Sequence, residues 1–179
     1  MILNNRLEAQ ALLEKLGASP RLLLHLNLVG EAANELIQAL LSMGILFDAN
    51  FVELGAAIHD VGKIEFQDEL DGPGSRHESA GESLLLLHGV QPAIAHCCVS
   101  HADWMATGVS FEELLVALSD KLWKGKREPT LELLVINEVA ARMQLERWDI
   151  FSKLDLVFEE IAAGGDARLL RSLLASQAG

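Results

Sequence analysis

The sequence predicts an all-α fold, a single-domain helical bundle, on three observations. Half of the 179 residues are hydrophobic, yet only 5% are aromatic and Tyr is absent. Leu and Ala therefore dominate, and the β-branched and aromatic residues that favour sheets are sparse. Apolar residues recur at helical rather than alternating spacing. Ser, Asp, Pro and Gly stand where helices start and stop. At this length one domain can bury a substantial core.

Taken in order, residues 4–16 read as a short amphipathic helix ended by Gly17. Ser19 caps a long helix that opens at Pro20 and runs to about Met43, because Pro is favoured at the first helical position. Leu22, Val29, Ala32, Leu36, Leu40 and Met43 form its apolar stripe, and His25 falls within it. Gly44 ends that helix and Asp48 caps the next. Residues 65–74 carry acid, Gly and Pro without periodicity and read as a loop near the site. Ser75-x-x-Glu78 reads as a capping box starting a helix to His88, stopped by Gly89. Pro92 opens a helix on which His101 lies over Ile94, Cys97 and Cys98. A second capping box, Ser110-x-x-Glu113, starts a helix over 111–124. Pro129 opens a further helix to about Arg147, Asp149 caps another ended by Gly164-Gly165, and Asp166 starts the last, to about Gln177. No internal repeat or linker interrupts the chain, so residues 1–179 are expected to form one domain.

Composition also excludes functions. A formal charge of −12 argues against a nucleic-acid polymer as partner, since such binding needs a large basic surface. A small phosphorylated ligand stays compatible, because a local cationic pocket can exist on an acidic protein. Cys97 and Cys98 are adjacent and unsuited to a disulfide with each other, which points to a reducing compartment. No leading basic-then-apolar segment and no apolar run of about 18 residues is present, so neither export nor a membrane span is expected. The expectation is a cytoplasmic protein, with its oligomeric state open.

The stretch Phe51–Val61 is almost entirely apolar or small and reads as a buried helix. Into it the sequence sets His59 and Asp60, followed by Gly62 and Lys63. Burying an imidazole and a carboxylate costs several kcal/mol unless they are paired or bound to a metal. Nitrogen and oxygen donors together suit Zn, Mn, Fe or Co ions. A core His satisfied by a neighbouring Asp is the alternative for this pair alone. His25, His59-Asp60, His77, His101 and Asp120 lie on five successive predicted helices, and a metal site in a helical core draws its ligands from facing helices in this way.

The ordered set His25-x-x-x-Val29, His59-Asp60-Val61-Gly62-Lys63, His77-Glu78-Ser79-Ala80-Gly81 and Ser119-Asp120-Lys121 resembles the HD-domain superfamily of metal-dependent phosphohydrolases over about residues 20–127. The C-terminal helices, 129–177, resemble no named family. The resemblance implies one or two divalent transition-metal ions (Mn, Fe, Co, Ni or Zn). His25, His59, Asp60 and Asp120 match the core ligands, and His77 and His101 match the extra histidines of members with a second ion, which Asp60 would bridge. Lys63 matches a lysine that contacts substrate phosphate in some subfamilies. Nucleoside 5′-monophosphatases of the superfamily carry a catalytic acidic residue near this spot; the matching residue is absent here, so their proton-transfer scheme is not expected to carry over. The implied activity is hydrolysis of a small phosphate ester, a nucleotide before others, with Asp60 and Lys63 catalytic and Lys63, Lys121 and Lys124 on the substrate.

Other readings stay open from sequence. Some HD-domain proteins hold two irons with a similar ligand set and use dioxygen, and a non-catalytic metal-binding signalling module is a further alternative. Phe111, Leu114, Leu115, Leu118 and Leu122 form an apolar stripe away from Asp120, so periodicity alone also allows an exposed Asp120 paired with Lys124 at i,i+4. The basic run from Lys121 to Arg127 is either a phosphate-binding rim or a solvated helix end. His88 shares a face with His77 but stands roughly 16 Å along the helix, suiting a helix C-terminus. His96 points away from His101 and reads as structural. Cys97 and Cys98 read as small core residues.

Overall fold

The computed structural model describes residues 2–70 and 72–177. Among them the chain forms ten α-helical segments and no strand: α1 Arg6–Lys15, α2 Pro20–Ser42, α3 Ala49–Ile58, α4 Arg76–Leu87, α5 Pro92–Ala95, α6 Cys97–Ser100, α7 Phe111–Leu122, α8 Pro129–Met143, α9 Arg147–Ala163 and α10 Gly165–Gln177. The predicted all-α class holds. None of these helices is long and apolar enough to cross a membrane.

The local signals explain most boundaries. The Ser19 hydroxyl accepts from the Leu22 amide, with Pro20 at the first helical position, and the Asp48 carboxylate accepts from Phe51. Ser110 and Glu113 form a reciprocal capping box at α7, satisfying amides that a helix start leaves unpaired. At α9 the cap is Glu146, and Asp149 is its partner three residues on. The helix thus starts one turn before the predicted cap. The preceding helix stops earlier than predicted, at Met143, because Gln144 turns left-handed with φ 56°.

Three helices carry the core. α2 buries Leu22, Leu26, Val29, Ala33, Leu36 and Leu40; α3 buries Val52, Leu54, Ala56 and Ile58; α7 buries Leu114, Leu115, Leu118 and Leu122. Gly55 lets α3 lie against α6 and α7, since a Cβ there would come within 2.6 Å of Val116 and 2.9 Å of the Cys97 sulfur. The two cysteines sit in this seam, buried and free. Burial pushes both thiols up, so they behave as small apolar groups. On the far side α10 is tied to α2: Arg168 reaches Glu35 at 2.6 Å, and Arg171 reaches Glu31 at 2.9 Å.

Three expectations fail around the site. The helix leading into His59-Asp60 does not run through Val61. It ends at Ile58 with His59 as cap, and Asp60 leaves helical geometry at φ −105° and ψ 15° before a 3-10 turn over Val61–Ile64. The acidic stretch 65–74 contains a second 3-10 turn, Gln67–Leu70. The helix predicted from Pro92 is divided at His96 into the single turns α5 and α6.

Candidate metal centre

His25 stands one and a half turns into α2, His59 and Asp60 at the end of α3, His77 in the first turn of α4, His101 at the end of α6, and Asp120 in the last turn of α7. Side-chain donors of His25, His59, Asp60 and Asp120 lie within 4.8 Å of one another, as do those of Asp60, His77 and His101. Asp60 belongs to both groups, and its two oxygens divide them. Oδ2 lies 2.8 Å from His25 Nε2 and 3.5 Å from His59 Nε2. Oδ1 lies 3.1 Å from His77 Nε2 and 3.7 Å from His101 Nε2. Asp120 Oδ1 closes the first group, 3.6 Å from His59 Nε2. Leaving the helix after Ile58 is what lets Asp60 face both pairs.

Asp120 is buried, at 7% exposure. The exposed alternative is therefore wrong, and its ion-pair partner is Lys121 at 2.8 Å rather than Lys124. Periodicity misjudged it because α7 is enclosed nearly all round, with Glu113, Ser119 and Asp120 buried beside the leucines. The basic run divides as well. Lys124 lines the cleft beside the cluster, and the Lys121 ammonium sits on Asp120. Arg127 is spent on Glu132, Asp155 and Glu159. His96 is held by Glu113 at 2.7 Å, a structural tie as read, and His88 caps the C-terminus of α4.

The histidine tautomers are set by their surroundings. His59 Nδ1 faces the Ala56 carbonyl and His101 Nδ1 the Cys97 carbonyl, each at 3.0 Å, so both rings donate from Nδ1 and present Nε2 to the cluster. His77 Nδ1 faces Glu69 Oε2 at 2.7 Å. Trp123 packs against the His25 ring with centroids 5.0 Å apart. Burial disfavours charge on Asp60, but His59, His25 and His77 outweigh it and hold the carboxyl well below its usual range. Burial likewise works against Asp120 ionisation, and His59 and Lys121 reverse it. Burial pushes His101 down to about 4, keeping it neutral and able to ligate at ordinary pH.

The fit to a cation rests on two atoms. His59 Nε2 and Asp60 Oδ1 are buried and make no well-formed hydrogen bond; the 3.1 Å approach of His77 Nε2 to Oδ1 supplies no proton when His77 donates from Nδ1 to Glu69. A buried polar atom left unpaired costs on the order of 1–3 kcal/mol, and both point into the cluster where the other donors converge. Mixed imidazole and carboxylate donors are the set that divalent transition metals take. The cluster opens into a cleft of about 320 Å³ lined by Arg21, Lys63, Lys124, Leu70 and Trp123 among others. Lys63 Nζ is 2.7 Å from Asp60 Oδ2.

Sequence reasoning missed Glu69, Trp123 and Arg21 as parts of this region. Arg21 had a signal, four residues before His25 and so on the same helix face. Glu69 lies in the loop read as near the site, but without periodicity nothing singles it out among the acids there.

Helices converging a histidine–carboxylate cluster fitted to divalent cations define the class of this protein. The HD-domain family model matches residues 10–139, and the chain belongs to that family, which includes many metal-dependent phosphohydrolases. The match contains the resemblance read over 20–127 and extends it into α1 and through most of α8. No curated protein and no solved structure matches the chain.

Proposed function

We propose that this chain is a metal-dependent phosphohydrolase acting on a small phosphate ester, with nucleotides as the leading substrate class. The observation that carries the reading is the shared carboxylate: each oxygen of Asp60 faces its own histidine pair, beside a cleft that holds the cations Arg21, Lys63 and Lys124 on a protein of net charge −12.

His25, His59, Asp60 and Asp120 would hold one ion, and Asp60, His77 and His101 a second, of Mn, Fe, Co, Ni or Zn. When bound, such ions supply Lewis acidity, making water nucleophilic near neutral pH and drawing charge from a phosphoryl oxygen. The protein's own groups do the rest. Lys63 and Lys124 face the phosphoryl charge, and a lysine acts on phosphate as a point charge. Lys121 pairs with Asp120 Oδ2 at 2.8 Å and leaves Oδ1 beside His59. Leu70 and Trp123 give the cleft its apolar wall for the remainder of the substrate, and a volume of about 320 Å³ suits a small molecule.

The test is metal analysis of anaerobically purified protein, followed by a phosphatase screen over nucleotides and sugar phosphates. One or two ions per chain with phosphate release is the expected outcome, and His59→Ala or Asp60→Ala should lose both. Two irons with oxygen uptake and no phosphate release would overturn the reading.

A further inference from the structure

Glu69 is buried at 4% exposure directly after the exposed Gln67 and Asp68, and both its oxygens are engaged. Oε2 accepts from the His77 backbone amide at 3.0 Å and lies 2.7 Å from His77 Nδ1. Oε1 accepts from Arg76 Nε at 2.6 Å and from the Arg76 amide at 3.3 Å. The chain makes room for it at Gly74, where a Cβ would lie 2.3 Å from the Glu69 carboxyl carbon. The carboxylate is therefore clamped to the first turn of α4 by backbone as well as side chain. His77 cannot turn without breaking that arrangement.

Of the three candidate ligand histidines with an Nδ1 contact, His59 and His101 lean on carbonyls of their own local backbone. His77 alone is backed by a full charge. The two donor groups also differ in charge. The first draws on two carboxylates, Asp60 and Asp120, while the second has only the shared Asp60. A carboxylate on the far side of a ligating imidazole fixes its tautomer, raises its basicity and places a negative charge near the ion.

We propose that Glu69 is the positioning residue of the second cation site: it holds His77 as the Nδ1–H tautomer with Nε2 aimed beside Asp60 Oδ1, and so decides whether a second ion is retained. This rests on the two-ion reading of the centre given above. Glu69 contacts neither substrate nor ion and acts through His77.

The experiment is zinc titration of metal-free protein by calorimetry, with stoichiometry checked by elemental analysis, on wild type, Glu69→Gln and Arg76→Met. Glu69→Gln keeps the shape but puts an amide donor where one of two donor sets now points. It should weaken the second zinc about 10- to 100-fold while the first changes less than about threefold. Arg76→Met, which leaves the Glu69–His77 contact in place, should bind both ions nearly as wild type does. Nitrogen-15 shifts of His77 in zinc-loaded wild type should report a protonated Nδ1. Unchanged second-ion affinity in Glu69→Gln, or equal loss at both sites, would overturn the proposal. So would a His77 protonated at Nε2, a reading made on wild type and independent of whether the variant folds. A wild type that binds one ion and still releases phosphate also overturns it but leaves the hydrolase reading standing. A wild type that binds no ion and releases no phosphate removes both.

Discussion

Gly62 crosses His77 at backbone contact: a Cβ on Gly62 would lie 1.9 Å from the His77 carbonyl oxygen and 2.7 Å from the Gly81 amide nitrogen. The 3-10 turn after Asp60 and the first turn of α4 are thus pressed together with no side chain between them. This contact sets the spacing between Asp60 and His77 and so the gap between Asp60 Oδ1 and His77 Nε2.

Gly62→Ala should therefore damage both fold and centre. Backbone atoms cannot rotate away as a side chain can, so the turn must separate from α4. Overpacking of a dense contact costs typically 1–3 kcal/mol and more where backbone has to move. A loss of about 3 kcal/mol or more in chemical denaturation is expected, with the second ion lost before the first in a metal titration. A variant of wild-type stability and wild-type metal content would contradict the close approach.

Glu113→Gln tests the cap of α7 away from the metal cluster. Burial works against the Glu113 charge, but His96 and Ser110 hold the carboxyl below its ordinary value of 4.5. A group whose folded pKa is depressed stabilises the fold above its unfolded pKa and loses that contribution as pH falls through the folded one. Wild type should exceed Glu113→Gln by about 1 kcal/mol at pH 7, the scale of a capping bond. The gap should close as pH drops below about 4.5. Urea midpoints of the two proteins from pH 7 to pH 3 supply the measurement, and a gap that widens toward acid would contradict a depressed Glu113 pKa in the folded state.

These two sites also show what the sequence could express. Ser110-x-x-Glu113 and Ser75-x-x-Glu78 carry the same capping signature, yet only the first forms; Ser75 makes no side-chain cap. The amides at the start of α4 go instead to Glu69, which arrives from another turn. A motif read locally cannot see a competitor delivered by the tertiary fold. The same limit explains Asp120, whose burial depends on which helices surround α7 and not on its own stripe. His25 and His59 are legible because imidazoles within apolar runs are costly unless used, whereas His77, in the polar run Ser75–Ser79, and His101 are legible only through the ordered set and the resemblance it carries. Trp123 stayed hidden because an aromatic at a helix end looks the same whether it walls a cleft or fills a core.

Arg127 tests the junction between α7, α8 and α9. Its guanidinium reaches Glu132 at 2.8 Å and Asp155 and Glu159 at 2.6 Å, and Glu132 is buried. Arg127→Met removes the shared cation and leaves Glu132 buried beside two other carboxylates. A loss of about 1–3 kcal/mol in stability is expected, less than a fully buried pair would cost because Asp155 and Glu159 are exposed. Metal content and phosphatase activity at 25 °C should stay near wild type. A large fall in substrate affinity with stability unchanged would return Arg127 to the substrate-binding rim.

Lys63 is the residue proposed to meet the substrate's phosphoryl charge. Its ammonium lies 2.7 Å from Asp60 Oδ2 and is largely buried, so it is not a surface charge in water. It lines the cleft together with Arg21 and Lys124, and its flexible stem can carry the charge from Asp60 toward a phosphoryl oxygen. Lys63→Met keeps most of the volume and removes the charge. Asp60 then faces fewer cations, so its affinity for a divalent ion should be equal or higher, and metal content should not fall. Hydrolysis should suffer, because the charge on the transferring phosphoryl group loses a partner in a partly desolvated site. A drop of about 10- to 1000-fold in kcat/KM corresponds to about 1.4–4 kcal/mol of transition-state stabilisation. Inorganic phosphate should also inhibit the variant more weakly than the wild type. If metal content falls in step with rate, Lys63 serves the centre rather than the substrate. If kcat/KM and phosphate inhibition are both unchanged, Lys63 has no part in the reaction.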